Sequence, residues 1–124
     1  AIEKVCQYVS QRTQFGQTLA DYQLTQYMIG RMAIRLAASR HITYAAARVF
    51  DTRAVEPSMA KLLSCDVAGE VTREAQLLHG GWGYSEEDAS SRYVVDALVL
   101  PIFEGTKPIL ELKVIGRSLL AQAN

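Results

Sequence analysis

Residues 21–52 read DYQLTQYMIGRMAIRLAASRHITYAAARVFDT, a run without proline. Leu24, Tyr27, Met28, Ile34, Ala37, Ala38, Ile42, Ala45 and Val49 recur within it at the spacing of one helix face. Asp21 is the residue type that caps a helix at its amino end, accepting hydrogen bonds from N–H groups that the first turn leaves free. The pattern predicts a helix from Asp21 to about Thr52, roughly 48 Å long at ~1.5 Å per residue. Its alanines let neighbouring helices approach closely.

Downstream, Pro57 suits the first turn of another long helix, where its missing N–H costs nothing. Leu63, Val67, Val71, Ala75 and Leu78 form the apolar stripe, and Gly80-Gly81 ends it. Upstream, Ile2, Val5, Cys6 and Val9 have helical spacing with no capping residue before them. The chain is therefore expected to begin inside a helix and to be part of a longer polypeptide. Arg12-Thr13-Gln14-Phe15-Gly16 breaks the pattern with a loop. Gly80, Gly81 and Gly83 require an irregular turn, and Ser85-Glu86-Glu87-Asp88 reads as a solvated acidic stretch or the start of a short helix.

Residues 91–103 are ambiguous, because Tyr93-Val94-Val95 favours a strand while the spacing allows a short buried helix. A short helix followed by an extended piece is the preferred reading. Thr106 caps a last helix, with Pro108 in its first turn and Ile109, Leu112, Ile115 and Leu119 on one stripe. Four main helices joined by short links predict an all-α fold, an antiparallel four-helix bundle formed by residues 1–124 as one domain.

Composition narrows the function classes. The 124 residues suffice for one core. Thirteen Lys+Arg balance thirteen Asp+Glu, for a formal net charge of zero, which excludes a polyanion binder that works by bulk charge. With 49% hydrophobic and 21% charged residues the chain is globular rather than disordered. Charges interrupt every apolar run before it reaches bilayer length, and Ala1–Cys6 lacks the layout of a secretory signal. Cys6 and Cys65, without a second pair, build neither a disulfide framework nor a zinc site and are expected to be buried thiols in a reducing compartment.

Few groups can carry chemistry. His41 sits in an alanine-rich helix and reads as a packing or surface residue. His79, just before the glycines, either complements a helix dipole or serves a site. No metal-ligand spacing is present, and the glycines after His79 follow a helix, which excludes a Rossmann phosphate loop. They either expose backbone N–H groups to a ligand or end a helix. Arg12 beside Phe15-Gly16 puts a guanidinium fork next to an aromatic, an arrangement suited to phosphate. Arg31, Arg35 and Arg40 read as solvated or as bundle ion pairs. Pro101-Ile102-Phe103-Glu104-Gly105-Thr106 holds a lone carboxylate between apolar residues. Desolvation there would raise its pKa toward that of a useful base. The alternative is that Glu104 interacts with the amino end of the next helix.

In this order the pieces resemble the C-terminal helical domain of the acyl-CoA dehydrogenase family over essentially the whole chain. Arg12-Thr13-Gln14-Phe15-Gly16 resembles the family's R-x-x-F-G loop, and Tyr22-Gln23 the glutamine-bearing pair that follows. His79-Gly80-Gly81-Trp82-Gly83-Tyr84 resembles its H-G-G-x-G-[YF] turn, and Phe103-Glu104-Gly105-Thr106 its [YF]-E-G-T segment. The sequence departs from the family in Leu77, where glutamine is usual and Gln76 stands one place earlier. It departs also in Pro108 for a polar residue, Tyr22 for histidine, and Val95 before Asp96 for arginine.

The resemblance implies α,β-dehydrogenation of an acyl-CoA thioester with FAD as cofactor, within fatty acid β-oxidation. Glu104 would remove the α-proton while the β-hydrogen leaves as hydride to the flavin, with the backbone N–H of Glu104 among the donors that polarise the thioester carbonyl. Phe103 and Gly105 would border the substrate. Arg12, reaching the FAD of a neighbouring subunit, would bind cofactor together with Phe15, Gln23, Gly80, Gly81 and Thr106. The implied partners are the acyl-CoA, further copies of the chain in a dimer or dimer of dimers, and an acceptor such as an electron-transfer flavoprotein. Nucleic acid and a membrane span are not expected. The implied place is intracellular, in bacterial cytoplasm or mitochondrial matrix. An N-terminal helical domain and a middle β-domain would complete the site, so the 124 residues alone are expected to be inactive. The alternatives are a related acyl-CoA oxidase and a non-catalytic helical oligomerisation module.

Overall fold

The computed structural model describes residues 1–49 and 55–123. Helix α1 (Ile2–Gln11) leads into a two-residue hairpin of β1 (Thr13–Gln14) and β2 (Gln17–Thr18), then a 3-10 turn at Leu19–Asp21. The long helices α2 (Gln23–Arg48) and α3 (Val55–His79) follow, then α4 (Gly81–Tyr84) and α5 (Ala89–Val99). The last helical segment changes pitch along its length: α6 (Lys107–Ile109), a π-helical stretch at Leu110–Gly116, and α7 (Arg117–Gln122). The fold is all-α apart from the hairpin.

Helix α3 is central, packing against α1, α2, α5 and the π-helical stretch. Cross-links fix the directions. Arg35 pairs with Glu70 at 2.8 Å and Glu74 at 3.0 Å, while Ser39, one turn further along α2, bonds to Ser64 at 2.9 Å, earlier on α3. Partners that descend as one helix ascends make α2 and α3 antiparallel. Arg31, 3.6 Å from Glu74, joins the same seam. Val5 and Val9 of α1, Met32 of α2 and Val67, Val71 and Ala75 of α3 form the core. Tyr8, Leu19 and Ile29 close over it.

Several expectations are corrected. Asp21 does not cap α2, because the 3-10 turn ends on it and its carboxylate accepts from the Thr18 hydroxyl at 2.7 Å. Helix α2 starts at Gln23, with Tyr22 as its capping residue. The expected end near Thr52 lies outside the described residues. The buried line on α2 is Thr25, Met32 and Ala46, whereas Leu24, Tyr27 and Ile34 are exposed, Ile34 at 71%. The buried face is rotated from the predicted stripe, of which only Met28, Ile42 and Val49 are partly buried. The piece after α5 is a run of turns and bends rather than an extended segment. On the last helix Ile109, Leu112 and Leu119 are exposed.

Cys6 and Cys65 are free and only partly buried. Asp88 is buried rather than solvated. Its carboxylate caps α5 by accepting from the Ser90 N–H at 2.8 Å and pairs with Lys4 of α1 at 2.7 Å. Burial alone would raise the pKa of Asp88, but the Lys4 and Ser90 hydrogen bonds outweigh it and hold the group well below the usual carboxylate range. Among the described residues no helix is long and apolar enough to cross a membrane.

Candidate functional site

The sequence candidates gather in two clusters at opposite ends of α3. The first surrounds a cleft of about 640 Å³ whose walls include Arg12, Gln14, Thr25, Leu77, His79, Gly80 and Gly81. One rim is the hairpin. Its pairing, Thr13 with Thr18 and Gln14 with Gln17, leaves Phe15 and Gly16 as the two turn residues, and both have positive φ, 52° and 85°. Two-residue hairpin turns whose twist matches the strands require this. Phenylalanine is an unfavourable residue there, yet its ring is 96% exposed. The turn thus holds an aromatic out into solvent at a conformational cost of about 1 kcal/mol.

The opposite wall is the end of α3. His79 is 2% exposed and stacks on Tyr8, with ring centroids 4.6 Å apart. Its Nδ1 lies 2.7 Å from the Ala75 carbonyl, an acceptor, so Nδ1 carries the proton. Nε2 is buried without a partner among the described residues. Gly80 has φ 59° and ψ −143°, a region reserved for glycine. A Cβ on Gly81 would meet open space, so its backbone is accessible to a ligand. Gly83 is different: a Cβ there would lie 2.6 Å from the Gln76 carbonyl and from His79 Cβ, so this glycine lets α4 fold back onto α3.

The departures from the family pattern have visible consequences. The Gln76 amide donates to the Gly83 carbonyl at 3.3 Å, bracing the turn from inside, and exposed Leu77 takes the cleft wall. The Tyr22 hydroxyl donates to the Gln14 carbonyl at 2.8 Å, tying the hairpin to the start of α2. Gln23 is exposed at the first position of α2, beside the cleft wall rather than in it.

The second cluster is the loop before α6. Phe103 and Glu104 are exposed, and Glu104 and Gly105 have φ 53° and 94°. Ile102 and Phe103 do not shield Glu104 within the chain, since they are themselves 63% and 49% exposed. Gly105 serves the fold directly: besides its φ, an added Cβ would stand 3.0 Å from Leu110 Cδ2. Thr106 is the capping residue of α6 without a side-chain cap bond, and Pro108 lies in the first turn.

Lys61, which sequence reasoning missed, reaches this loop from α3. Its ammonium donates to the carbonyls of Phe103, Glu104 (3.2 Å) and Gly105 (2.6 Å), and it lies 5.5 Å from the centre of the Phe103 ring. The only hint in the sequence is its position beside buried Ala60 at the edge of the inward stripe. Lys107 at the other side of the loop pairs with Asp66 at 2.7 Å, which raises its pKa. Burial pushes the Cys65 thiol up against the pull of Lys61 and Lys107, so it is no candidate nucleophile. From Lys61 to His79 the helix rises about 27 Å, and that distance separates the two clusters.

The sequence matches the acyl-CoA dehydrogenase C-terminal domain over residues 1–120. It is 36% identical over 123 residues to the short-chain-specific acyl-CoA dehydrogenase of Megasphaera elsdenii, covering 97% of this chain and 32% of that protein. It is 34% identical over 122 residues to the caffeyl-CoA reductase-Etf complex subunit CarC of Acetobacterium woodii, covering 96% and 32%. The solved structure of butyryl-CoA dehydrogenase from Megasphaera elsdenii superposes with a TM-score of 0.92 at 35% identity, over 96% of this chain and 32% of that one. The chain thus spans about a third of the length of the relatives it matches. The match over residues 1–120 and the shared fold agree: the chain belongs to the acyl-CoA dehydrogenase family, as its C-terminal domain.

Proposed function

We propose that residues 1–124 are the C-terminal helical domain of a longer flavin-dependent acyl-CoA dehydrogenase and carry its base, Glu104. The observation that carries the reading is the carboxylate of Glu104, held on left-handed backbone between Phe103 and a glycine and open to solvent on a loop that α3 braces. An exposed base on a strained, tethered loop is suited to a pocket that other domains complete. Glu104 takes the proton from the substrate Cα, and the Glu104 N–H helps to polarise the thioester carbonyl, without which that proton is too weakly acidic. Phe103 borders the thioester and Gly105 keeps the approach open.

The first cluster fits a dinucleotide. Arg12 offers a fork for a pyrophosphate, Gly80 and Gly81 offer accessible backbone, and Phe15 offers an exposed ring; Gln23 completes this set, while Thr106 contacts the cofactor from the second cluster. FAD, when bound, supplies the acceptor for the hydride that leaves Cβ. A separation of about 27 Å along α3 favours an arrangement in which Arg12 of one copy and Glu104 of another serve the same flavin. The exposed apolar faces of α2 and the last helix, with Ile34 at 71% and Leu112 at 66% exposure, support association with further domains and copies. The partner that would take up the electrons is an acceptor such as an electron-transfer flavoprotein, the partner class named for the Acetobacterium relative.

The test is anaerobic bleaching of the flavin in the full-length, FAD-loaded protein by a panel of acyl-CoAs. A Glu104→Gln variant should bind FAD and acyl-CoA but reduce its flavin about 10²–10⁴-fold more slowly. Reduction at the parent's rate would remove Glu104 from the role.

A further inference from the structure

We infer that Lys61 is a positioning residue for this reaction: by gathering three successive carbonyls it aims the backbone N–H of Glu104 away from α3, toward the thioester oxygen. The inference rests on the functional reading above. An ammonium has three donors and no acceptor, and the carbonyls of Phe103, Glu104 and Gly105 use all three. In extended backbone successive carbonyls alternate in direction; left-handed backbone at Glu104 and Gly105, at φ 53° and 94°, lets them converge on one cation.

The consequence follows from peptide geometry. Among the described residues there is no cis peptide bond, and in a trans peptide the C=O of one residue and the N–H of the next point in opposite directions. With the Phe103 carbonyl turned to Lys61, the Glu104 N–H is turned away from it. The same holds for the N–H groups of Gly105 and Thr106. These three amides have no backbone acceptor among the described residues, so they are left for a ligand. A carbonyl bonded to a cation also polarises its peptide group and makes the N–H at the other end a stronger donor. Lys61 thereby fixes both the direction and the strength of a donor whose value lies in being preorganised. Its place over the Phe103 ring, 5.5 Å from the centre, holds the aromatic wall in the same grip.

Three readouts on Lys61→Met in the full-length, FAD-loaded protein test this. Methionine keeps the length of the stem and removes the donors. The rate of flavin reduction should fall about a hundredfold with acyl-CoA affinity within about threefold, because the lost donor matters most at the transition state. The infrared carbonyl stretch of a bound acyl-CoA should lose its downshift in Lys61→Met and keep it in Glu104→Gln. Amide exchange across residues 101–110 should quicken at least about tenfold while the core of α3 stays protected. Lys61→Arg, whose planar fork cannot serve three converging oxygens, should recover only part of the rate.

If the parent reduces its flavin, Glu104→Gln does not, and Lys61→Met keeps the rate, the downshift and the slow exchange, the role of Lys61 is overturned while the function stands. If no acyl-CoA reduces the parent, the function fails. The clamp itself is still judged by the exchange measurement, and unchanged exchange overturns it.

Discussion

Two loops of this chain hold a non-glycine residue in left-handed backbone just before a glycine, and they are held there in different ways. Phe15 is fixed by two strands, a two-residue turn and the Tyr22 hydroxyl on the Gln14 carbonyl. Glu104 is fixed by one ammonium on a neighbouring helix and by Leu110 packed under Gly105. The hairpin distributes its strain over a backbone ladder that no single side chain controls. The Glu104 loop concentrates it on two side chains, Lys61 and Leu110. On the proposed function the difference has a use: a cofactor contact gains from rigidity, whereas a loop that carries a base depends on the exact direction of a carboxylate and an amide.

The largest way to break this comparison is at the glycines. Gly105→Val places a β-branched residue at φ 94° and its Cβ 3.0 Å from Leu110. Flavin reduction should fall about a hundredfold or more, with FAD content retained; a fall below about threefold would show that the loop tolerates another path. The corresponding test at the hairpin has the opposite sign. Phe15→Gly relieves the left-handed cost and should stabilise the protein by about 1 kcal/mol in thermal unfolding, while FAD dissociates faster. Stabilisation without faster dissociation would make the exposed ring idle.

Between these two in size is the pair that ties the ends together. Lys4 lies on the helix that enters the hairpin and Asp88 at the start of the helix that leads to the base loop. Asp88→Ala removes a cap and an ion-pair partner and should cost roughly 2 kcal/mol, measured by denaturant unfolding at pH 7. Because the folded pKa of Asp88 is depressed, its contribution is fully present above the unfolded value of about 3.9 and is lost as pH falls through the folded one. The parent's melting temperature should therefore drop below about pH 4, and the variant's should drop less. Parallel curves would contradict the assignment.

The long helices were legible because each has a 3.6-residue period, and three of the four motifs were legible because glycine spacing survives without any structure. What escaped was set by distant partners. The buried side of α2 could not be read, since Leu24, Tyr27 and Ile34 are as apolar as the Met32 that packs inward. Asp21 looked like a cap, but Thr18, three residues back, claims its carboxylate. Residues 85–88 were open to two readings, a solvated stretch or the start of a short helix, and Asp88 takes the second, paired with a Lys4 that is far away in sequence. Glu104 was placed by its neighbours in an apolar setting that the folded domain does not supply. Lys61 left almost no trace, because its partners are backbone carbonyls, and any sequence has those.

The central claim is that the two clusters, about 27 Å apart on α3, meet at one flavin only across two copies. Co-expression of Glu104→Gln and Arg12→Ala full-length chains tests it most directly. Each variant alone should be nearly inactive. If every site takes its arginine from one copy and its base from another, random mixing should restore about a quarter of the parent's flavin reduction, since half of the dimers are mixed and each of those has one intact site of two. Mixed assemblies that form, bind FAD and remain as inactive as either variant alone would contradict it.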